Sequence, residues 1–271
     1  MLNYQAREPF PALSSWVDSV QSKGRYFFTS DQAIKELQAT KSSFNNASLR
    51  LANKKRIARL YRGFYIIIPL EYANTGMLPP DWFIADLMNH IKKPYYVSLL
   101  SAATLHGAAH QQPQEFQVIT TDSVRKIELG NLAIQFFVKK NFDLSRTSQV
   151  KTQTGYMAVS TPEMTALDLV CYARQIGGLD RVLTVFQELG EALDADKLAA
   201  AAQAVNNLSY AQRLGWLLEQ AGFNAQTEKL AQWIKEKKPL PARLDPSLAV
   251  KGARKNDRWS LLINTTIEGD L

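Results

Sequence analysis

Cysteine and histidine are both scarce in this sequence. A single cysteine, Cys171, is present among 271 residues, and only three histidines accompany it. One thiol cannot form an internal disulfide, so a disulfide-stabilised secreted domain is excluded and a reducing compartment is expected. So few thiol and imidazole groups also leave little material for a zinc site. We therefore predict that the protein needs no metal and no cofactor.

Long hydrophobic runs are absent as well. Apolar stretches such as 65–70 and 261–263 are far shorter than the roughly 20 residues that span a bilayer. The first ten residues, MLNYQAREPF, lack the basic start and apolar core of a signal peptide. Membrane-spanning and secreted classes are therefore not expected, and the sequence predicts a cytoplasmic protein.

The composition that remains is that of a folded globular protein. Hydrophobic residues make up 46% and charged residues 21% of the chain, which is usual for soluble domains. The length suggests two domains at about 150 residues each, and Pro79-Pro80 marks a boundary. Helical and strand patterns are mixed, with strands before helices in the second part. We predict an α+β protein with domains at 1–78 and 79–271.

Positive charge is concentrated in two blocks. The net charge is +7, from 32 basic and 25 acidic residues. Residues 1–80 carry 11 basic and 5 acidic side chains (+6), residues 81–228 carry 12 and 15 (−3), and the tail segment 229–258 carries 9 and 3 (+6). Phosphate backbones commonly bind such blocks, because their neutralisation releases counterions. The alternative is a solvated surface, which charge runs usually form.

The N-terminal pattern is typical of a winged helix-turn-helix. Arg62-Gly63 splits two β-rich runs, which indicates a hairpin because glycine adopts a positive φ without strain. The second helix of such a motif binds bases through its N-terminal part. An ordinary helical pair with a packed hairpin is the alternative. The predicted elements are helices over 13–20, 31–39 and 43–53 and strands over 57–61 and 64–68.

Polar and basic side chains cluster on the third predicted helix and on the hairpin. Asparagine can pair twice with adenine, arginine twice with guanine, and serine can bond either bases or phosphate. Basic side chains in the flanking loop and the wing would contact phosphates, which position the module without specifying sequence. The predicted DNA-binding residues are Lys41, Ser42, Ser43, Asn45, Asn46, Arg50, Lys54, Lys55, Arg56, Arg59 and Arg62.

The second part of the sequence is predicted to place strands before a series of helices. The expected elements are helices over 82–88 and 98–105, strands over 116–121, 132–139 and 156–159, helices over 163–172, 179–189, 196–205, 210–221 and 227–235, and a strand over 259–264.

A basic, proline-containing tail precedes the terminal strand. It is expected to follow an extended and exposed path. Its cations would extend a nucleic-acid footprint, bind an acidic protein, or remain solvated; the sequence leaves these three possibilities open. The cations of this tail are Lys235, Lys237, Lys238, Lys251, Arg254 and Lys255.

Candidate catalytic residues are few. His106 and His110 are four residues apart, but Gly107 predicts a helix end between them, so we interpret both as structural. Cys171 is predicted to lie in the core. Asp168 is either one of a pair of acid–base carboxylates with Glu163 or a structural residue that holds a helix or a nearby basic side chain. Glu188 and Glu191 are a second possible acid–base pair.

No phosphate loop, serine elbow or kinase motif is present. We therefore predict that the protein is not an enzyme. The enzymatic alternative is a metal-dependent nuclease, whose nearest candidate residues are Glu115, Asp122 and Lys126.

The order and spacing of several motifs resemble the AbiEi antitoxin family, and the resemblance spans nearly the whole chain. No single motif is highly specific. The motifs are RIARLYRGFYIIIP, YYVSLLSAATLHGAAHQQP, FQVIT, VSTPEMTALDLV, YAQRLGWLLEQAGF and WSLLINTTIEGD.

The resemblance implies an antitoxin of a type IV toxin–antitoxin system. Its N-terminal winged helix would bind operator DNA and repress its own operon, with DNA contacts from residues 42–54 and 59–62. The C-terminal domain would counteract a nucleotidyltransferase toxin without a stable complex. The alternative function is a ligand-responsive transcriptional regulator whose acidic middle segment holds a small effector.

Overall fold

The computed structural model describes residues 12–74, 76–108, 113–140 and 143–269. The chain divides into two compact units that are interleaved along the sequence. Unit one comprises Met1–Pro94, Val124–Gln135 and Val150–Met157, and unit two comprises Tyr95–Ser123, Phe136–Gln149 and Ala158–Leu271. The architecture is α+β, as predicted. The functional boundary between residues 78 and 79 stays a prediction.

The N-terminal part of unit one contains helices and a small sheet. Its elements are α1 Leu13–Ser22, β1 Phe27–Thr29, α2 Ser30–Glu36, α3 Lys41–Asn53, β2 Ile57–Tyr61, β3 Phe64–Ile67 and α4 Ile84–Ile91. The strands form an antiparallel sheet of order β1-β3-β2. The three helices and the hairpin expected in this part of the sequence are all present, with bounds that differ by at most three residues.

The core of this part of unit one is aromatic and is covered by α1. Trp16, on the apolar face of α1, makes an edge contact with Phe28, with 5.3 Å between ring centroids. Phe28 stacks on Tyr65. Phe44 of α3 makes an edge contact with Tyr65, with 5.6 Å between ring centroids. These contacts fix α3 on the sheet through its buried face.

The remaining elements follow in the order β4 Tyr95–Val97, α5 Leu99–Leu105, β5 Phe116–Thr120, β6 Ile127–Leu129, β7 Leu132–Val138, β8 Thr147–Lys151, β9 Tyr156–Ser160, α6 Pro162–Cys171, α7 Gly178–Leu189, α8 Ala195–Val205, α9 Leu208–Gln220, α10 Asn224–Lys237, β10 Ala242–Arg243, β11 Arg254–Asn256 and β12 Leu261–Ile263. Strands β4–β9 form a sheet of order β6-β7-β5-β4-β9-β8. Strand β4 pairs antiparallel with β5 and parallel with β9.

Helix α6 is buried along most of its length, from Glu163 to Val170. Thr161 caps it by accepting a hydrogen bond from the amide of Met164 at 3.3 Å, and Pro162 occupies the first turn, as the sequence predicts. Trp259 is fully buried against α9, where a Cβ on Gly215 would lie only 2.1 Å from its ring. This close approach requires glycine inside the helix.

The structure corrects three sequence expectations. Strands β1, β6 and β8 were not predicted. The terminal strand is shorter than expected, and short tail segments pair with it on both sides in the order β10-β12-β11, so the tail is partly strand. Cys171 is half-buried rather than part of the core, and burial raises the pKa of its thiol.

Candidate nucleic-acid interface

Helix α3 presents a polar face to solvent. The hydroxyl of Thr40 caps the helix by accepting a hydrogen bond from the amide of Ser43 at 3.2 Å. Phe44 and Ser48 are buried, whereas Asn45, Asn46 and Arg50 are exposed. The helix has an anchored inner face and an outer face of amide and guanidinium groups, which are the groups that pair with base edges.

All but one of the residues predicted to bind DNA are exposed. The exception is Arg56, which is half-buried and forms an ion pair with Asp18, with 2.6 Å between nitrogen and oxygen. This partner reduces its availability for phosphate. The exposed predicted residues are Lys41, Ser42, Ser43, Asn45, Asn46, Arg50, Lys54, Lys55, Arg59 and Arg62. That they contact DNA stays a prediction.

The segment that carries these residues is free of acidic side chains. Between Glu36 and Glu71 the chain has seven lysines and arginines and neither aspartate nor glutamate. Because no carboxylate is interspersed, this segment keeps a positive potential, although Asp18 neutralises Arg56. Such a surface attracts phosphate-bearing polymers.

The turn of the β2–β3 hairpin is held in place on two sides. The amide of Ser30 donates to the carbonyl oxygen of Gly63 at 2.9 Å. The Nε2–H of His90 donates to the carbonyl oxygen of Arg62, also at 2.9 Å. Gly63 has φ +75°, a conformation that other residues adopt only with strain. The hairpin that carries Arg59 and Arg62 is therefore a fixed element and not a free loop.

Two residues that the sequence reasoning missed stand out on this side of unit one. Leu49 on α3 is 62% exposed and lies about one helical turn after Asn45 and Asn46. Its spacing of three and four residues from the two asparagines was the signal that could have identified it. Arg125 lies in a segment that joins unit one from far along the chain, beside the hairpin. No local sequence pattern indicates that placement.

Unit two contains a buried polar network around Asp168. Its carboxylate accepts hydrogen bonds from Lys139 Nζ at 2.7 Å, Ser98 Oγ at 2.9 Å and the Tyr96 hydroxyl at 3.0 Å. Ser160 donates to Ser98 at 3.1 Å. Burial raises the pKa of Asp168, and the nearby lysine opposes that rise.

The network links β4, the segment after β7, the end of β9 and α6. The sequence left Asp168 either an acid–base role with Glu163 or a structural role. In the structure it pairs with the basic side chain of Lys139. Glu163 instead accepts a hydrogen bond from the amide of Asp194 at 3.2 Å. Because the Asp168 side chain is only 1% exposed and its oxygens are engaged, the arrangement suits structural positioning of these elements.

The other candidate chemistry is not assembled in the described residues. His106 is half-buried and donates from Nε2 to the carbonyl oxygen of Ser160 at 2.7 Å, while His110 lies outside the described residues. Within 12–74, 76–108, 113–140 and 143–269, no group of three or more His, Cys, Asp or Glu side chains could hold a metal ion. Lys126, a nuclease candidate, is paired with Glu128 at 2.5 Å.

The cations of the basic tail are exposed, and Lys255 is paired with Asp257 at 2.7 Å. In the part of the chain that the structure describes, no helix combines the length and the apolar character needed to cross a membrane.

Comparison with known proteins finds a similarity that covers most of unit two. Residues 96–220 match the model of the AbiEi antitoxin C-terminal domain, which confirms the resemblance predicted from the sequence. The match supports an antitoxin role in a toxin–antitoxin system. The fold is similar to the crystal structure of the RV2827C protein from Mycobacterium tuberculosis, with a TM-score of 0.66 and 13% identity over 95% of this chain and 93% of that chain. No curated protein matches the chain in sequence.

Proposed function

We propose that this chain is an antitoxin that also binds DNA and represses its own operon, and that its antitoxin activity counteracts a nucleotidyltransferase toxin. Residues 1–78 are then a winged helix-turn-helix domain in which α3 is the recognition helix and the β2–β3 hairpin is the wing. The observation that carries the DNA-binding part is the outer face of α3, where Asn45, Asn46 and Arg50 are exposed while Phe44 anchors the opposite face.

The chemistry of each side chain determines whether it contacts bases or phosphates. Asn45, Asn46 and Arg50 choose the sequence through bidentate bonds to base edges. Leu49 adds an apolar contact of the kind that favours a thymine methyl group. Lys54 and Lys55 follow the helix directly and neutralise phosphates, which supplies affinity and salt dependence but no sequence choice.

The toxin-directed part of the proposal rests on the family match over residues 96–220. The antitoxin acts without a stable complex with its toxin. No catalytic step, metal or cofactor is required for operator occupation, and a cytoplasmic location follows from binding chromosomal or plasmid DNA.

The test is binding of Arg50→Ala to the operon's own upstream duplex and to a shuffled duplex. If Arg50 makes a bidentate base contact, the substitution costs roughly 1–3 kcal/mol on the specific duplex only. Arg174→Ala, which removes an exposed arginine of unit two, serves as the matched control and leaves the preference unchanged. Equal losses on both duplexes would show that Arg50 does not select bases.

Lys54→Ala and Lys55→Ala test the phosphate contacts, which do not depend on sequence. Each should weaken binding to both duplexes and reduce the slope of log affinity against log salt by about one per lost phosphate contact. Arg56→Ala should change the slope less, because Asp18 already occupies its guanidinium. An unchanged slope in all three variants would reject phosphate contact by this loop.

A further inference from the structure

A cleft in unit one is lined on one wall by the hairpin and on the other by a segment from much later in the chain. The first wall is residues 59–62 and the second is residues 125–129. The cleft has a volume of about 500 Å³. Both walls belong to unit one, and strand β2 lies against β6. We call this feature the hairpin cleft.

The hairpin cleft is strongly cationic. Four of its lining residues are basic (Arg59, Arg62, Arg125 and Lys126), and one is acidic (Glu128), a balance of +3. Glu128 is engaged by Lys126. The three guanidinium groups form no ion pair with any residue that the structure describes, and all three residues are exposed.

Strand β2 is irregular next to Arg59. The pairing of β2 with β3 shifts register between Arg59 and Tyr61, so β2 carries a bulge at Leu60. A bulge bends its strand and changes the direction of the neighbouring side chains. Leu60 is buried while Arg59 and Tyr61 on either side of it are exposed. The bend thus keeps an apolar anchor inside and cations outside.

We propose that the hairpin cleft binds the phosphate backbone of duplex DNA and that Arg125, on its second wall, contacts a phosphate. This inference rests on the proposed DNA-binding function and extends it to a residue outside the N-terminal segment. Planar guanidinium groups suit phosphate oxygens because they donate two parallel hydrogen bonds. Helix α3 packs against β2 and is joined to it by Lys54, Lys55 and Arg56, so the cleft continues the same basic surface.

The consequence is that part of the DNA footprint lies inside the segment that matches the antitoxin domain. Residues 125–129 fall within 96–220 yet fold with unit one. Backbone contacts of this kind carry no sequence information. Arg125 therefore contributes to affinity and to the salt dependence of binding, equally on any duplex.

The experiment compares Arg125→Lys, Arg125→Ala and Arg125→Glu in the full chain, by fluorescence anisotropy over a salt series. On both the upstream duplex and a shuffled duplex, Arg125→Ala should bind roughly five- to tenfold more weakly near 0.1 M salt and lose about 0.9 from the slope of log affinity against log salt. Arg125→Glu should be weaker still, and Arg125→Lys should retain the wild-type slope.

Arg174→Ala removes the same charge outside the cleft and should leave the slope unchanged. Because Arg125 is exposed, the melting temperatures of the variants should equal that of the wild type, which excludes misfolding as the cause. If the wild type binds both duplexes with a steep slope and Arg125→Ala behaves like Arg174→Ala, the cleft proposal is overturned and the proposed function stands. If the wild type binds neither duplex, both fail together.

Discussion

At the scale of single residues, the ion pair between Lys139 and Asp168 joins two elements of unit two. The carboxylate is buried, and the lysine side chain is 16% exposed. Removing one partner of a buried pair leaves an uncompensated charge, which costs far more than the pair contributes. The segment after β7 and helix α6 therefore depend on each other through these two atoms.

Lys139→Met should reduce the free energy of unfolding by about 3–5 kcal/mol near neutral pH. The loss should shrink as pH falls. Burial raises the folded-state pKa of Asp168, so its contribution to stability is present below the unfolded pKa and is lost as pH rises through the folded pKa. Lys139 lowers the pKa of Asp168, so removing it raises that pKa further. The variant therefore loses more stability than the wild type as the pH rises. Urea unfolding at a series of pH values measures this.

Lys140→Met is the matched control, since Lys140 is the adjacent residue and is exposed. It should change stability by less than about 0.5 kcal/mol at every pH. A Lys139→Met variant whose deficit is the same from about pH 4 to pH 8 would contradict the assignment of a charged, buried carboxylate to Asp168.

At the scale of elements, the hairpin turn is held by contacts that a side chain at position 63 would disturb. A Cβ there would lie 3.1 Å from Ser30 Oγ, in a backbone conformation with φ +75°. Gly63→Ala should therefore cost about 1–2 kcal/mol and should displace Arg62. We expect a lower melting temperature together with weaker binding to any duplex.

Gly24→Ala separates these two effects. Gly24 has a similar φ of +73°, but a Cβ there would meet no atom within 4 Å. It should lower the melting temperature without affecting DNA binding. If both variants weakened binding equally, the position of the hairpin turn would be irrelevant to DNA contact.

The elements also show where sequence reasoning succeeds and where it stops. Thr40, Gly63 and Pro162 are local signals, because a cap, a positive φ and a first-turn proline each act within a few residues. Helices α3 and α6 and the hairpin were predictable for that reason. Strands β6 and β8 are short and mostly exposed, so they lack the alternation that identifies a strand.

The long-range partners were not predictable in the same way. The sequence left Asp168 with two possible roles, because Lys139 lies on a different element and no spacing rule joins them. Arg125 approaches the hairpin only because a distant segment folds into unit one. Such contacts are set by tertiary packing, which propensity and periodicity do not encode.

At the scale of the whole molecule, the two proposed activities should be separable by point substitution but not by truncation. Unit one includes Val124–Gln135 and Val150–Met157, so cutting the chain after residue 78 or 94 removes part of that unit. An Asn45→Ala/Arg50→Ala variant changes only exposed side chains and leaves the fold intact.

Expressed from an unrelated promoter beside its toxin, the Asn45→Ala/Arg50→Ala variant should fail to repress a reporter under the operon's promoter but should still relieve growth arrest. Lys139→Met, which damages unit two, should lose the relief of growth arrest. Loss of both activities in the α3 variant, at unchanged protein level, would contradict the assignment of the two activities to different surfaces.

Sequence-specific DNA binding is tested by the affinity of the full chain for the duplex upstream of its own gene, compared with a shuffled duplex of equal length and composition across a salt series. We predict a preference for the upstream duplex of about a thousandfold or more and affinities on both duplexes that fall steeply with salt. Equal affinity for the two duplexes, or binding that does not respond to salt, would contradict it.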